Sequence, residues 1–395
     1  MRLASRMERI GTETAFEAAA RARALEATGV DVVHLEVGEP DFDTPANIRA
    51  AAKRALDEGK THYAPYAGIP ELRAAIADDA TARKGFPVAP ESVFVTVGGK
   101  GVMLYAIEAL VDDGDEVIVP DPGYPIYESL VNWIGGTSVP IPIRQSNGFR
   151  LDPDELASLV TPRTKMIVLN SPANPSGGVL TRADLESIAE LAQANDLVVL
   201  ADEIYGRILY DGEHVSIASL PGMAERTIVL DGFSKTYAMT GWRLGYAIVP
   251  EWLAFAFGRL IINSVSNVAS FAQYGAVEAL RGPQDEVDAM VAEFHARRDL
   301  IVDGLNAIPG VSCLRPSGAF YAFPDISGTG LSGAELADRL LQESGVSALA
   351  GTAFGHVGRN HLRFSYANSR ENIVEAMKRM RAVVEPLAAK AAAGR

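Results

Sequence analysis

Short apolar runs alternate with amphipathic segments through the middle of the chain. The runs are mostly apolar without alternation, which is typical of parallel strands buried on both faces of a sheet. Five such strands are predicted: SVFVTV (Ser92–Val97), DEVIVP (Asp115–Pro120), KMIVLN (Lys165–Asn170), LVVLAD (Leu197–Asp202) and TIVLDG (Thr227–Gly232). Helical patterns such as GVMLYAIEAL and TRADLESIAELAQAND lie between them. This order predicts an α/β fold with a large, doubly wound and mostly parallel sheet.

The pattern changes after Arg281. A long helix is predicted over Glu286–Ala307, and a last helix from Glu371. Shorter strand-like pieces, VSCLRP, AFYAFP and HLRFSYAN, lie between them. We interpret this part as a smaller α+β domain, with which a helix and a strand near the start of the chain can pack. The predicted division is a large domain over residues 45–285 and a small domain formed by residues 1–44 together with residues 286–395.

Length, charge and cysteine content narrow the class of protein. A chain of 395 residues is longer than one core usually supports, in agreement with two domains. The net charge of −14 argues against a nucleic-acid partner. The most apolar helical stretch, Trp252–Val265, is interrupted by Arg259 and is too short to span a bilayer. A single cysteine, Cys313, and the lack of an apolar leader indicate the cytoplasm.

Polar or glycine-rich loops follow all five predicted strands. In an open α/β sheet, ligands bind beyond the carboxyl ends of the strands, so these loops should meet at one edge. They are Gly98–Gly101, Asp121–Tyr124, Asn170–Gly178, Asp202–Tyr205 and Gly232–Lys235. Together they predict a site for a ligand that carries a phosphate, a positive group and a reactive carbonyl.

Lys235 and Asp202 are the candidates for catalysis at this edge. Burial of Lys235 would lower its pKa and make its amine a nucleophile towards an aldehyde. The alternative is a strand-end lysine that extends into solvent. Asp202 has no nearby cation in the sequence, so a protonated ring nitrogen could serve as its partner, with Tyr205 reaching the same ligand. The alternative for Asp202 is a helix N-cap.

Several common motifs are excluded by the same loops. Gly98–Gly101 opens a helix and predicts an anion site, but it matches neither the dinucleotide fingerprint nor a P-loop. The stretch before Lys235 lacks the second glycine of a hydrolase elbow. The six histidines form no pattern of metal ligands, and His356 and His361 are interpreted as solvated loop residues.

Over nearly its whole length, the chain resembles a class I/II aminotransferase of the fold-type I, pyridoxal-phosphate-dependent, aspartate aminotransferase-like family. The resemblance is carried by VGEPDFDTP (Val37–Pro45), KTHYAPYAGIPELR (Lys60–Arg73), NSPANPSGGVL (Asn170–Leu180), ADEIYGRILYDG (Ala201–Gly212) and SKTYAMTGWRLGY (Ser234–Tyr246). It implies an enzyme that exchanges an amino group between an L-amino acid and a 2-oxo acid by a ping-pong mechanism. Pyridoxal 5'-phosphate is the implied cofactor.

The resemblance implies a role for each matching residue. Lys235 matches the lysine that holds the cofactor as a Schiff base (an aldimine) and then moves a proton. Asp202 matches the aspartate that pairs with the pyridinium nitrogen. Tyr205 and Asn174 match the residues that hydrogen-bond the ring's phenolic oxygen, and Tyr124 matches the aromatic residue stacked on the ring.

Further matches concern the phosphate, the substrate and a second subunit. Ser234, Arg243 and the Gly99–Lys100 backbone match the phosphate cradle. Arg363 matches the arginine that clamps the substrate α-carboxylate, with the Gly38 backbone and Asn174 beside it. Tyr63 matches a tyrosine that reaches the neighbouring subunit's cofactor, which implies a homodimer with shared active sites.

The substrate and the type of reaction remain open at this point. In some aspartate enzymes of the family, the lysine that matches Lys100 reaches the distal carboxylate of the substrate. Ala15 in place of a hydroxyl residue and the arginine-free loop Ser264–Ser270 depart from the aspartate pattern. A β-lyase, a decarboxylase or an amino-acid oxidase on the same scaffold is the alternative to transamination. A cofactor-sensing regulator would need an added DNA-binding domain, for which the family match leaves no room.

Overall fold

The structure is a computed structural model that describes residues 2–393. Within them, twelve strands form one large and two small sheets. The strands are β1 (Val33–His34), β2 (Val93–Val97), β3 (Glu116–Asp121), β4 (Thr137–Pro142), β5 (Thr164–Asn170), β6 (Val198–Asp202), β7 (Thr227–Gly232), β8 (Leu244–Ile248), β9 (Tyr321–Ala322), β10 (Val346–Ser347), β11 (Leu349–Ala350) and β12 (Leu362–Ser365).

Twelve α-helices cover these sheets in the same described range. They are α1 (Thr14–Glu26), α2 (Ala46–Asp57), α3 (Pro70–Lys84), α4 (Gly98–Leu110), α5 (Ile126–Ile134), α6 (Pro153–Leu159), α7 (Arg182–Ala194), α8 (Glu251–Ser264), α9 (Ser270–Arg281), α10 (Asp285–Asn306), α11 (Gly333–Ser344) and α12 (Arg370–Ala393). No described helix has both the length and the apolar character needed to cross a bilayer.

The large sheet has the strand order β2-β8-β7-β6-β5-β3-β4, and only β8 runs antiparallel to its neighbours. All five predicted strands lie in it, so the predicted α/β fold class is confirmed. Alternate residues of one strand pack against helices on opposite faces. In β5, Met166 and Val168 join the cluster with α4 and α8, whereas Ile167 and Leu169 join the cluster with α7. Burial on both faces explains the uniformly apolar runs.

The smaller part of the fold surrounds two short sheets. β1 pairs with β10, and β12 lies between β11 and β9. Helices α10, α11 and α12 pack on these strands around a core that includes Phe294, Phe320 and Phe364. The piece VSCLRP forms no strand; it contributes a single bridge between Ser312 and Asp325.

We propose the domain division predicted from the sequence, residues 45–285 against residues 1–44 with 286–395. The pairing of β1 with β10 supports the joining of the two chain ends in one domain. The segment before α1 instead lies on α5 of the large part, where the Gly11 amide donates to Ser129 Oγ at 2.9 Å and Arg9 donates to the Trp133 carbonyl at 3.1 Å. Residues 1 and 394–395 of the predicted small domain lie outside the described range.

Candidate active site

A cavity of about 490 Å³ opens at the carboxyl ends of β5, β6 and β7, beside the first turn of α4. Its volume is in the range of small-molecule sites. The structure brings eleven of the predicted site residues to its wall: Gly38, Gly99, Lys100, Tyr124, Asn174, Asp202, Tyr205, Ser234, Lys235, Arg243 and Arg363. Tyr63 is the predicted site residue that does not line it, and its side chain is 92% exposed.

Lys235 directs its ammonium group into the cavity. It follows β7, and its Nζ donates to the Gly38 carbonyl oxygen at 2.7 Å. Removal from solvent lowers the pKa of Lys235 to about 8. The amine is therefore poised to lose its proton near neutral pH, as a nucleophile towards an aldehyde requires. The alternative of a strand-end lysine that extends into solvent does not match this orientation.

Asp202 ends β6 and faces the same cavity. Its Oδ2 accepts from the Tyr127 hydroxyl at 2.5 Å, and its Oδ1 accepts from the Ile204 amide at 3.1 Å. The contact with the Ile204 amide resembles the N-cap bond that was the alternative role for Asp202. Asp202 makes this bond and also faces the cavity. Burial raises the pKa of Asp202 to about 6, and no cationic side chain pairs with it within residues 2–393.

A buried charge network supports the floor of the site behind Asp202. Lys84 Nζ, at the end of α3, lies 2.7 Å from Glu203 Oε2 and 2.8 Å from Asp231 Oδ2. Burial alone would raise the pKa of Glu203, but the charges of Lys84 and His214 bring it below the usual range. Lys84 thus neutralises the buried carboxylates of Glu203 and Asp231, whereas the neighbouring carboxylate of Asp202 has no cationic partner in the described chain.

The first turn of α4 has the features of an anion site. Its leading N–H groups have no carbonyl partner inside the helix, and the helix dipole favours negative charge there. Gly98 has φ +67°, and a Cβ on it would meet the Arg243 guanidinium at 2.5 Å. A Cβ on Gly245 of β8 would meet the Gly98 and Gly99 backbone at 2.5 and 2.6 Å. Glycine is therefore required where β8 and α4 meet, with Ser234 and Arg243 beside them.

Arg363 lies at the opposite wall, on β12. Its guanidinium donates to Asn174 Oδ1 at 3.3 Å and to the Glu36 carbonyl oxygen, and it stacks 4.6 Å from the centre of the Tyr321 ring. The Nε of Arg363 is buried and has no hydrogen-bond partner in the described chain. A guanidinium with unused donor capacity beside a cavity suits a carboxylate ligand.

The cavity also contains residues that sequence reasoning missed. Tyr127 donates to Asp202, and the hydroxyl of Tyr321 lies 2.8 Å from that of Tyr205. Glu13 accepts from Lys100 Nζ at 2.7 Å and from the Tyr124 hydroxyl at 3.0 Å. The i, i+3 spacing of Tyr124 and Tyr127 could have identified the first of these, but no signal in the sequence marked Glu13.

One histidine interpretation is wrong. His361 is buried, and its ring stacks on Phe323 at 4.8 Å and 10°, because its backbone forms a bridge with Asp325 in the segment after β9. His356 is exposed, as expected. Within residues 2–393, no group of three or more His, Cys, Asp or Glu residues is arranged to hold a metal ion.

The residues present fit pyridoxal phosphate. Asp202 offers an unpaired buried carboxylate for a protonated ring nitrogen, and Lys235 offers an amine of lowered pKa for the aldehyde. The backbone at the start of α4, against which a Cβ at Gly245 would clash, offers N–H donors for the phosphate.

Comparison with known proteins agrees with this fit. The family model for "Aminotransferase class I and II" matches residues 30–380. An aspartate aminotransferase of Pyrococcus abyssi is 43% identical over 90% of this chain and 92% of its own length. Aromatic-amino-acid aminotransferase 2 of Thermococcus litoralis is also 43% identical, over 91% of this chain and 93% of its own length. The structure of aspartate aminotransferase from Thermus thermophilus with maleate superposes with a TM-score of 0.92 at 41% identity, covering 97% of this chain and all of that one.

A match of this extent, on a fold and a cavity that suit the cofactor, shows the relationship directly. This chain belongs to the class I and II aminotransferases and is a pyridoxal-phosphate-dependent aminotransferase.

Proposed function

We propose that this enzyme exchanges the amino group between an L-amino acid and a 2-oxo acid with Lys235 as its central catalytic residue. One observation carries the proposal: a lysine of lowered pKa and a buried carboxylate without a cation face the same cavity. When bound, pyridoxal phosphate supplies a reactive aldehyde and a ring that takes up electron density. Lys235 binds the cofactor and then moves a proton at the substrate α-carbon, while Asp202 holds the proton on the ring nitrogen.

The other residues of the cavity position the two ligands. Gly99, Lys100, Ser234 and Arg243 bind the phosphate through backbone amides, a hydroxyl and a guanidinium. Tyr124 lies against the ring face. With these roles, the phosphate would be bound at α4 and the reacting atoms would lie near Lys235.

Substrate groups are bound on the side of the small domain. Arg363 and the Gly38 backbone bind the α-carboxylate, and closure of the domains around it excludes water. Tyr205 and Asn174 bond the phenolic oxygen of the ring, and Asn174 also lies next to the carboxylate. Arg363 is on β12 of the proposed small domain, and Lys235 follows β7 of the proposed large domain. A bound substrate would therefore contact both domains.

For the side chain of the substrate, we propose an aspartate- or glutamate-like donor or acceptor. Lys100 is the cation at the outer end of the cavity, and relatives of equal identity are named for aspartate and for aromatic amino acids. We further propose a cytoplasmic homodimer in which Tyr63 reaches the partner subunit's cofactor. Its exposed ring, outside the cavity of its own subunit, supports that role.

A screen of amino donors against several oxo acids, followed through the absorption of the cofactor, tests this function. A donor should convert the cofactor to a stable pyridoxamine form, and a 2-oxo acid should convert it back. Borohydride reduction and peptide mapping should place the covalent tag on Lys235, and Lys235→Ala should abolish turnover. A tag on another lysine, or loss of the side chain or carboxyl group of the donor without pyridoxamine, would instead favour a β-lyase or a decarboxylase.

A further inference from the structure

The outer end of the cavity contains an ion pair made entirely by this chain. Lys100 Nζ lies 2.7 Å from Glu13 Oε2, and the Tyr124 hydroxyl donates to the same oxygen at 3.0 Å. Four cationic side chains line the cavity among the described residues, and three of them serve the cofactor or the α-carboxylate in the proposed function. Lys100 is the remaining cation for a substrate side chain, and a carboxylate already occupies it.

The other carboxylates of the cavity wall have different partners. Glu39 accepts from the Thr240 hydroxyl, and Asp202 accepts from Tyr127 and a backbone amide. Glu13 therefore stands alone in the described chain as the carboxylate that meets Lys100. Its group has the chemistry, and the position relative to Lys100, that the distal carboxylate of a dicarboxylic substrate would need.

Glu13 lies where the chain crosses between the domains. The residues before it are fixed to α5 through Gly11 and Arg9, whereas α1 after it packs on the small domain through Ala22 and Leu341. Glu13 is the N-cap residue of α1, but its side chain makes no capping bond and is 22% exposed. The carboxylate can thus leave Lys100 by a side-chain rotation, without the unpacking of a helix.

We propose that Glu13 substitutes for the distal carboxylate of a dicarboxylic substrate and exchanges with it on Lys100. This exchange rests on the proposed aminotransferase function, and it gives the enzyme two classes of substrate, dicarboxylic and uncharged. A dicarboxylic amino acid or oxo acid displaces Glu13 from Lys100. An amino acid with an uncharged side chain binds with the pair intact, because Glu13 then neutralises the Lys100 ammonium at the cavity wall.

The exchange gives opposite effects for the two residues. Glu13→Gln removes the competitor for Lys100, so kcat/KM should rise for aspartate and glutamate and fall for alanine and phenylalanine. Lys100→Met should lower kcat/KM for aspartate and glutamate more than for alanine and phenylalanine, because it removes the cation for the distal carboxylate. For a partly exposed pair, we expect the ratio of dicarboxylic to uncharged kcat/KM to change about three- to tenfold in each direction.

The test uses the holoenzyme and the half-reaction with these four donors. Variants are Glu13→Gln, Lys100→Met, the double variant, and Glu17→Gln as a matched control, an exposed glutamate one helical turn along α1 that does not line the cavity. Calorimetric titration with maleate and with 3-phenylpropionate measures binding without turnover. Glu13→Gln should strengthen the binding of maleate relative to that of 3-phenylpropionate. In the Lys100→Met background, Glu13→Gln should change neither this binding ratio nor the ratio of dicarboxylic to uncharged kcat/KM.

The outcomes separate this inference from the function on which it rests. The exchange is rejected if Glu13→Gln leaves the substrate ratio equal to that of Glu17→Gln, if its effect persists without Lys100, or if Lys100→Met lowers activity equally on all four donors. If no donor converts the wild-type cofactor, the proposed function fails as well. Transamination by the wild type with an unmoved ratio rejects the exchange alone.

Discussion

The carboxylate of Asp202 is buried next to two other carboxylates, Glu203 and Asp231, and Lys84 pairs with those two but not with Asp202. Burial raises the pKa of Asp202 from 3.8 to about 6 in the folded chain without cofactor. The folded state then binds the proton more tightly than the unfolded state. The resulting penalty on folding is absent below the unfolded pKa, grows as the pH rises from about 4 to about 6, and is complete above that.

Asp202→Asn should therefore have opposite effects on stability and on catalysis. At neutral pH, the free energy of unfolding of the apoprotein should rise by about 2–3 kcal/mol, because the neutral amide carries no such penalty. The kcat of the holoenzyme should fall by about 10²-fold or more, since the ring nitrogen loses its anionic partner. Urea unfolding of both apoproteins at about pH 4 and pH 7.5 checks the first effect. A stability gain that is equal at both pH values, or a near-normal kcat, would contradict this account.

Arg363 should account for recognition of the α-carboxylate. Arg363→Lys replaces a planar fork with a point charge in a buried position, so KM for the amino donor should rise about 30-fold or more, equivalent to roughly 2–5 kcal/mol. Steady-state kinetics with the best donor measures it. The control is Arg359→Lys, an exposed arginine four residues earlier that makes no hydrogen bond through its side chain in the described structure. Equal KM values for the two variants would assign the clamp to another arginine.

Residues at strand ends could be predicted from the sequence, and residues that approach from elsewhere could not. Asp202 ends one apolar strand, and Lys235 lies three residues after another. Parallel topology alone therefore brings them to one edge of the sheet. Glu13 reaches the cavity from an irregular segment that has no periodicity, and Tyr321 reaches it from the small domain. Their positions depend on how the two domains pack against each other. The local pattern of hydrophobic and polar residues does not contain that information.

At the scale of elements, the contact between β8 and α4 determines the geometry of the phosphate site. β8 was not predicted as a separate strand, since its apolar pattern is interrupted by Gly245 and it begins inside the SKTYAMTGWRLGY stretch. That glycine is what allows the start of α4 to approach the sheet. The other unpredicted strand of the large sheet, β4, is at its edge and is only partly buried, so it lacks the continuous apolar run of its neighbours.

Gly245→Ala should weaken cofactor binding more than it destabilises the fold. The new methyl group would lie about 2.5 Å from the Gly98 backbone, so the first turn of α4, which offers the proposed phosphate donors, must shift away from β8. We expect the dissociation constant of pyridoxal phosphate to rise about tenfold or more, measured by fluorescence titration of the apoprotein. Gly241→Ala adds a methyl group to the same cavity wall without displacing α4, because its added Cβ meets nothing within 4 Å, and serves as the comparison. Similar dissociation constants for the two variants would show that the close approach does not position the anion site.

At the scale of the whole molecule, one surface of the large domain exposes apolar side chains next to Tyr63. Tyr66 packs beside Gly258 of α8, and the same helix exposes Phe255 and Ile262 to solvent. Several large apolar side chains exposed together on one helix can mark an interface. The patch and the exposed Tyr63 ring are together consistent with the proposed homodimer, in which the isologous contact repeats each residue on both sides.

Subunit mixing tests whether Tyr63 acts across that interface. Lys235→Ala homodimers should be inactive, and Tyr63→Ala homodimers should bind the cofactor weakly and show low activity at limiting pyridoxal phosphate. After the two are mixed and allowed to exchange subunits, about half of the dimers should be hybrids. In each hybrid, the site with an intact Lys235 receives an intact Tyr63 from the partner, so activity should recover at the same cofactor concentration. If Tyr63 instead served its own subunit, that site would still lack it, and mixing would restore nothing. Sedimentation of the mixture would show whether dimers are present in either case.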